Sequence, residues 1–267
     1  MANDLGGGVT TWGRGDYPLM AERLEPVAVA AVDLADVGSG DRVVDVASGT
    51  GNAALVAAER GGDVVGVDIE PALLKLAGRR ATSLGLQVRW ETAEATAMPV
   101  PDGWADVVLS VFGVMYASDQ EAAAHELARC AAPGARVVLA SWAPGSFMPA
   151  MGGALSAFLP PPPPSSGPPS RWGDPNALED LLSPHGLGVN SHSTESLALT
   201  FVSTEAAVDF LVRTAGHVIA EQESLTAQGR WNDLLAGLED LVNQRAQQVE
   251  GRLRLDMDYL LAVITPR

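Results

Sequence analysis

Apolar runs and amphipathic stretches alternate along the first half of the chain. Residues 43–46 and 64–67 are short valine-rich runs, each carrying or followed by an acid, and 107–111 and 137–142 are two more. Each reads as a strand, and the stretches between them as helices. Before the first strand, Leu19, Leu24, Val27, Ala31 and Leu34 fall near helical spacing and place a helix over 17–37. Such alternation predicts the α/β class, a parallel sheet with helices on both faces. The rhythm breaks over 143–173, where an apolar stretch (147–159) leads into a run of five prolines (160–164) that reads as a stiff polyproline II spacer. Beyond it, Asp174 can cap a helix running to Leu182, and 197–202 reads as a sixth strand. Residues 204–249 carry two apolar stripes at helical spacing, Val208, Leu211, Val212, Ala215, Val218 and Ile219, then Trp231, Leu234, Leu235, Leu238, Leu241 and Val242. A last strand returns at 257–264. One domain over 1–267 follows, with a helical cap (1–37), a core (38–142), a proline-rich insertion (143–173) and a helical lid (204–250) before the last strand.

The first strand holds Asp45 and runs into the turn Ala47-Ser48-Gly49-Thr50-Gly51, after which a helix starts at Asn52. Glycine adds no Cβ and tolerates positive φ, so a ligand can meet bare backbone there, beside the unpaired N–H groups of the helix start. Asp45 puts a carboxylate before the turn, facing whatever docks, which would repel a pyrophosphate and attract a cation or an ammonium group. Asp68 ends the next strand and should reach the same sheet edge, where such an acid commonly holds a ribose diol. Gly49-Thr50-Gly51-Asn52-Ala53-Ala54 also fits the dinucleotide fingerprint G-x-G-x-x-A, the mark of an NAD(P)-dependent oxidoreductase. Asp45 argues against that reading, since a diphosphate needs N–H groups without a competing negative charge.

Two further segments, 94–102 (Glu-Ala-Thr-Ala-Met-Pro-Val-Pro-Asp) and 105–116 (Ala-Asp-Val-Val-Leu-Ser-Val-Phe-Gly-Val-Met-Tyr), join the turn in a pattern of three parts. Together they resemble the class I S-adenosylmethionine-dependent methyltransferases, whose first loop reads D-x-G-x-G-x-G. The likeness is closest to the small-molecule enzymes of ubiquinone and menaquinone biosynthesis and of actinobacterial natural-product pathways. It is specific from about Trp12 to Trp142 and looser beyond. The resemblance implies a Rossmann-like, seven-stranded, mainly parallel sheet with an antiparallel last strand, and a helical lid inserted before it. It implies S-adenosyl-L-methionine as cofactor and S-adenosyl-L-homocysteine as product. Carried onto this chain, it assigns the cofactor to Asp45, Ala47, Gly49, Gly51 and Asn52 of the first loop, and to Asp68 with Ile69 at the ribose. Glu94 would accept the adenine amino group, the Ala95 N–H would meet a ring nitrogen, and Ser110 and Val111 would lie beside the sulfonium. Tyr17 resembles an element that closes over the cofactor. Ala47 stands where the family has its first glycine, which requires only that the backbone there avoid positive φ.

Composition narrows the partners. The 267 residues carry a net charge of −16, which disfavours nucleic acid and anionic membrane surfaces. Hydrophobic residues make up 47% and support a large core, yet no run reaches the roughly 18 apolar residues of a membrane span. The first eight residues lack the charged-then-apolar form of a signal segment, so a cytoplasmic location is expected. A lone cysteine, Cys130, makes neither an internal disulfide nor a cysteine metal site. No acid and asparagine cluster follows the fourth or fifth strand, so no metal is expected. The oligomeric state stays open, a homodimer included.

The acceptor should be a small hydrophobic molecule, methylated at oxygen or carbon. Phe112, Met115, Tyr116, Trp142, Phe147 and Met148 are aromatic or sulfur-bearing side chains where its pocket would lie, and Trp12 belongs with them. Of four histidines, His125 reads as surface, His185 as a helix end and His192 as an exposed strand position. His217 is the candidate general base, an imidazole suited to neutral pH. On a continuous helix it would share a side with Phe210 and Arg213, the latter able to hold an acceptor carboxylate. That side faces the acceptor if the apolar stripe packs on the neighbouring lid helix, and water if the stripe packs on the sheet. A protein that binds the sulfonium cofactor without transferring methyl, whether pericyclase-like or purely binding, satisfies the same motifs.

Overall fold

The computed structural model describes residues 12–161 and 167–267. The polyproline reading of 160–164 therefore falls mostly outside the described residues, as does the reading of the first eight. The N-terminal half runs α1 (Tyr17–Leu34), β1 (Arg42–Val46), α2 (Asn52–Glu59), β2 (Asp63–Asp68), α3 (Pro71–Leu84), β3 (Arg89–Thr92), β4 (Ala105–Val111), α4 (Gln120–Cys130) and β5 (Ala131–Trp142). Then follow α5 (Phe147–Leu155), α6 (Pro175–Leu182), β6 (Leu187–Phe201), α7 (Thr204–Thr214), α8 (Gly216–Ala227), α9 (Trp231–Arg245), β7 (Gln247–Val249) and β8 (Arg252–Pro266).

The strands order as β3-β2-β1-β4-β5-β8-β6. The first five pair in parallel, while β8 runs antiparallel to both β5 and β6. The short β7 folds back on β8 as an eighth strand that the hydrophobic pattern did not announce. Val43, Val44 and Val46 have no exposed surface, and neither do Val107, Val108 and Leu109. Consecutive buried positions mean that both faces of the sheet centre are covered. Strand order reverses between β1 and β4, which opens a crevice at their carboxyl ends.

Helix starts follow local chemistry. Pro71 opens α3 behind Glu70, whose side chain accepts the Ala72 N–H. Asp174 caps α6 by accepting the N–H groups of Asn176 and Ala177.

Two further elements differ from their sequence reading. The expected two-helix lid has three helices, because the first stripe breaks at Ala215 (φ −93°, ψ 88°). That joint receives the N-terminal arm: the Asp16 N–H donates to the Arg213 carbonyl at 2.7 Å. A Cβ on Gly15 would lie 2.9 Å from both the Arg213 oxygen and the Gly216 nitrogen, so only glycine fits. Strand β6 begins at Leu187, well before 197, and its residues 190–196 are all exposed. It is an edge strand organised by its ladder with β8, so those positions needed no apolar alternation.

Candidate active site

A cavity of about 370 Å³ opens where the carboxyl ends of β1, β2, β3 and β4 converge. Gly49 and Ala47 contribute from the first loop, Asp68 and Ile69 from the end of β2, Leu73 from α3, and Ala93–Thr96 from the segment after β3. Phe112, Gly113 and Tyr116–Ser118 follow β4, and Trp12 and Tyr17 complete the lining from the N-terminal side.

Asp68 is 7% exposed. Its Oδ2 accepts the Gly49 N–H at 2.7 Å and its Oδ1 accepts the Glu70 N–H at 2.8 Å. Burial pushes its pKa up, and backbone N–H groups of Glu70, Gly49 and Ile69 pull it back. An ionised carboxylate has about four acceptor sites, so capacity remains for a hydroxyl such as one of a diol. Beside it, Ile69 is 39% exposed, an apolar face in reach of a flat ring. The Glu94 Oε2 accepts hydrogen bonds from the hydroxyls of Thr96 and Ser118, each at 3.1 Å. Thr96 and Ser118 were not singled out from the sequence, because loop hydroxyls carry no pattern of their own.

Five assigned residues lie outside this lining, Val111 among them, which borders only a second, smaller cavity. Asp45 does not face the main cavity. It is 2% exposed, and its Oδ2 accepts the Ser48 hydroxyl at 2.7 Å and the Ala54 N–H at 3.0 Å. The loop thus folds over its own acid, leaving it beside the second cavity, of about 20 Å³, shared with Tyr17, Thr50, Asn52 and Val111. Burial raises the Asp45 pKa to about 7 against the pull of those two hydrogen bonds. Ser110 has no exposed surface: its hydroxyl donates to the Val46 carbonyl and accepts the Val114 N–H, joining β1 to the turn after β4. Gly51 (φ +84°) points away from the cavity, where a Cβ would meet the Trp90 ring at 2.7 Å. Asn52 spends its amide on the Ala21 carbonyl and on Arg80.

The expectation that position 47 avoids positive φ is wrong. Ala47 has φ +55°, and Phe112 across from it has φ +57°. The two turns interlock, since a Cβ on Gly113 would lie 2.5 Å from the Ala47 Cβ. A left-handed alanine costs about 1–2 kcal/mol, partly offset by the chain entropy that glycine would bring. Ala47→Gly is therefore expected to stabilise the protein by up to about 1 kcal/mol in urea unfolding. A decrease in stability would mean that the methyl packing against Gly113 outweighs the strain.

The aromatic positions divide. The Phe112 ring stacks on Trp142 at 3.6 Å and 11°, with Tyr259 edge-on at 5.5 Å. Phe112 and Tyr116 reach the cavity, whereas Trp142, Met115 and Phe147 are buried behind it and Met148 packs half-buried against the core. No described residue of 143–250 lines the cavity, so its walls come from the N-terminal half. Phe210 packs on Phe201 and under Arg23, and Arg213 is a surface residue paired with Asp16 and Asp209. The break at Ala215 separates this pair from His217. That imidazole meets the Trp12 ring edge-on at 6.2 Å, and Trp12 in turn tilts against Tyr116 at 5.1 Å. His217 thus sits one ring back from the cavity, with its pKa lowered by burial. His125 is exposed, His185 closes the turn after α6, and His192 is exposed on β6.

Comparison with known proteins bears on which ligand this cavity takes. A family model described as a methyltransferase domain matches residues 43–134, the span from β1 into β5. An uncharacterized protein of Mycobacterium tuberculosis is 33% identical over 260 residues, covering 96% of this chain and 93% of its own length. The demethylmenaquinone methyltransferase of Thermus thermophilus is 37% identical over 175 residues, which cover 60% of this chain and 80% of the relative. Among solved structures, the YcgJ protein of Bacillus subtilis superposes with a TM-score of 0.67 over 91% of this chain and 99% of that one, at 17% identity, a likeness of fold. Methyl transfer takes the place of the hydride-transfer reading that the glycine turn alone allowed. The chain belongs to the class I S-adenosylmethionine-dependent methyltransferases and uses S-adenosyl-L-methionine as its cofactor.

Proposed function

We propose that the protein methylates oxygen or carbon of a small, apolar, aromatic acceptor. The carrying observation is the make-up of the cavity end near Trp12, Phe112 and Tyr116: aromatic rings, with no lysine or arginine in the lining. Rings of that kind favour a flat apolar partner, and the lack of a cation gives no anchor for a carboxylate or phosphate. The demethylmenaquinone methyltransferase relative supports an acceptor of quinol type. The net charge of −16 weighs for a small molecule over nucleic acid. Among the described residues no helix is long and apolar enough to cross a membrane, which agrees with a cytoplasmic enzyme.

Within this reading the cofactor supplies an activated methyl group. Asp68 and Ile69 hold the ribose and the adenine face, Glu94 and the Ala95 N–H the adenine edge, and the Gly49 turn with Tyr17 the amino-acid end. The protein's main contribution is alignment, which can supply roughly 7–11 kcal/mol of a bimolecular barrier. The 12–16 arm, α8 and the other lid helices would close behind the acceptor and keep water out. His217 would serve as base once Trp12 yields to the acceptor. Its lowered pKa keeps the imidazole neutral, and so able to take a proton, at neutral pH.

Incubation with candidate quinols and metabolite extracts, read as formation of S-adenosylhomocysteine with a mass gain of one methylene, tests the proposal. Cofactor binding without either product would favour the non-methylating alternative. His217→Ala is expected to lower turnover by about 100-fold, the lower range for a lost general base, with cofactor affinity unchanged. Near-normal turnover would leave the reaction without a histidine base.

A further inference from the structure

Among the described residues, Arg80 on α3 is the one basic side chain bonded to the first loop, and it lines neither cavity. Its Nη1 donates to the Thr50 carbonyl at 2.8 Å, to the Asn52 Oδ1 at 2.7 Å and more weakly to the Thr50 hydroxyl at 3.3 Å. Asn52 passes the link on, its Nδ2 donating to the Ala21 carbonyl of α1 at 2.7 Å. That helix begins at Tyr17, whose ring carbon lies 3.4 Å from where a Gly49 Cβ would stand. One guanidinium therefore ties α3, the loop and α1 together behind the site.

The loop needs such a tie. Ala47, Gly49 and Gly51 all have positive φ, and glycine gives up more backbone freedom on ordering than any other residue. Asp45 and Asp68 secure Ser48, Gly49 and Ala54, but neither reaches Thr50, Gly51 or Asn52. We propose that Arg80 is a positioning residue for the cofactor, fixing residues 50–52 and, through Asn52, the placement of Tyr17 over Gly49. The inference rests on the cofactor and is independent of the acceptor. Ordering a binding loop in advance raises affinity by removing a cost otherwise met on binding.

The test compares Arg80→Ala, Arg80→Lys and the exposed neighbour Arg79→Ala in the full chain. Calorimetry gives the Kd for S-adenosylhomocysteine, thermal melts with and without that ligand give stability, and steady-state rates give KM and kcat wherever an acceptor is in hand. Arg80→Ala should raise Kd, and KM for the cofactor, by about tenfold, the scale of one lost charge-assisted hydrogen bond. kcat at saturating cofactor should change little, and the ligand-free stability should fall by less than the affinity does. Arg80→Lys should recover part of the affinity through the Thr50 carbonyl, and Arg79→Ala should behave as wild type. A Kd within about twofold of wild type in Arg80→Ala overturns the proposal. So does a loss of affinity shared by Arg79→Ala, or one accompanied by an equal loss of ligand-free stability. Should Arg80→Ala fail to fold, Arg80→Lys decides by the same Kd comparison. Wild-type protein that fails to bind the ligand would instead overturn the cofactor reading, a separate result.

Discussion

Asp68→Ala is expected to weaken S-adenosylhomocysteine binding by about 10- to 100-fold, because it removes a charge-assisted acceptor worth about 1.5–3 kcal/mol. The structure adds a second loss. The same carboxylate holds the Gly49 N–H at 2.7 Å and the Glu70 N–H at 2.8 Å, so alanine also releases the turn and the entry to α3. The ligand-free protein should melt lower as well, since a buried N–H left unpaired costs about 1–3 kcal/mol. Asp68→Asn separates the two effects. Its amide oxygen can still accept a backbone N–H, so stability should be largely kept while affinity still falls. Unchanged affinity in both variants, measured by calorimetry, would remove Asp68 from the ribose.

Asp45→Asn should act in opposite directions on stability and on binding. The folded protein holds the Asp45 proton up to about pH 7, whereas an ordinary aspartate releases it near 3.8. The folded state therefore binds more protons than the unfolded chain between those values, and stability falls as pH rises from about 4 to 7. Asparagine keeps an acceptor for the Ala54 N–H and removes the buried charge. The ligand-free variant is expected to melt several degrees above wild type at pH 8, with the gap closing as pH falls to about 4. Binding should run the other way. Once ionised, Asp45 puts a negative charge in low dielectric beneath the loop, so wild-type affinity for S-adenosylmethionine should rise through pH 7. The variant should show no such rise and should bind about tenfold more weakly at pH 8. Parallel pH profiles for the two proteins would mean that Asp45 titrates elsewhere or that its field does not reach the ligand.

Motif spacing carried much of the cavity lining into view. Tyr17, Ala47, Gly49, Asp68, Ile69, Glu94 and Ala95 all line it, as do Phe112 and Tyr116 from the acceptor list. A motif gives the position of a residue along the chain, but the direction of its side chain depends on partners elsewhere. Asp45 and Ser110 turned inward because Ser48, Ala54, Val46 and Val114 offered them hydrogen bonds. Phe210, Arg213 and His217 parted company because a helical wheel assumes one unbroken helix, and the bend at Ala215 answers to a backbone two hundred residues away in sequence. That no described lid residue lines the cavity has a related reason. Apolar periodicity says that a helix has a face to bury, and α9 packs mainly on α5 and α7.

The seat of Gly15 between Arg213 and Gly216 has a consequence for how this chain can drift. With no room for even a methyl group at that point, a larger residue in the arm would have to be answered by a wider bend between α7 and α8, and a tighter bend would expel the arm. Because Trp12 rides on the same arm, changes at 213–216 would be felt three residues from the indole that borders the cavity. Under the proposed function, acceptor preference would then be open to retuning from a remote corner of the lid, with no contacting residue replaced.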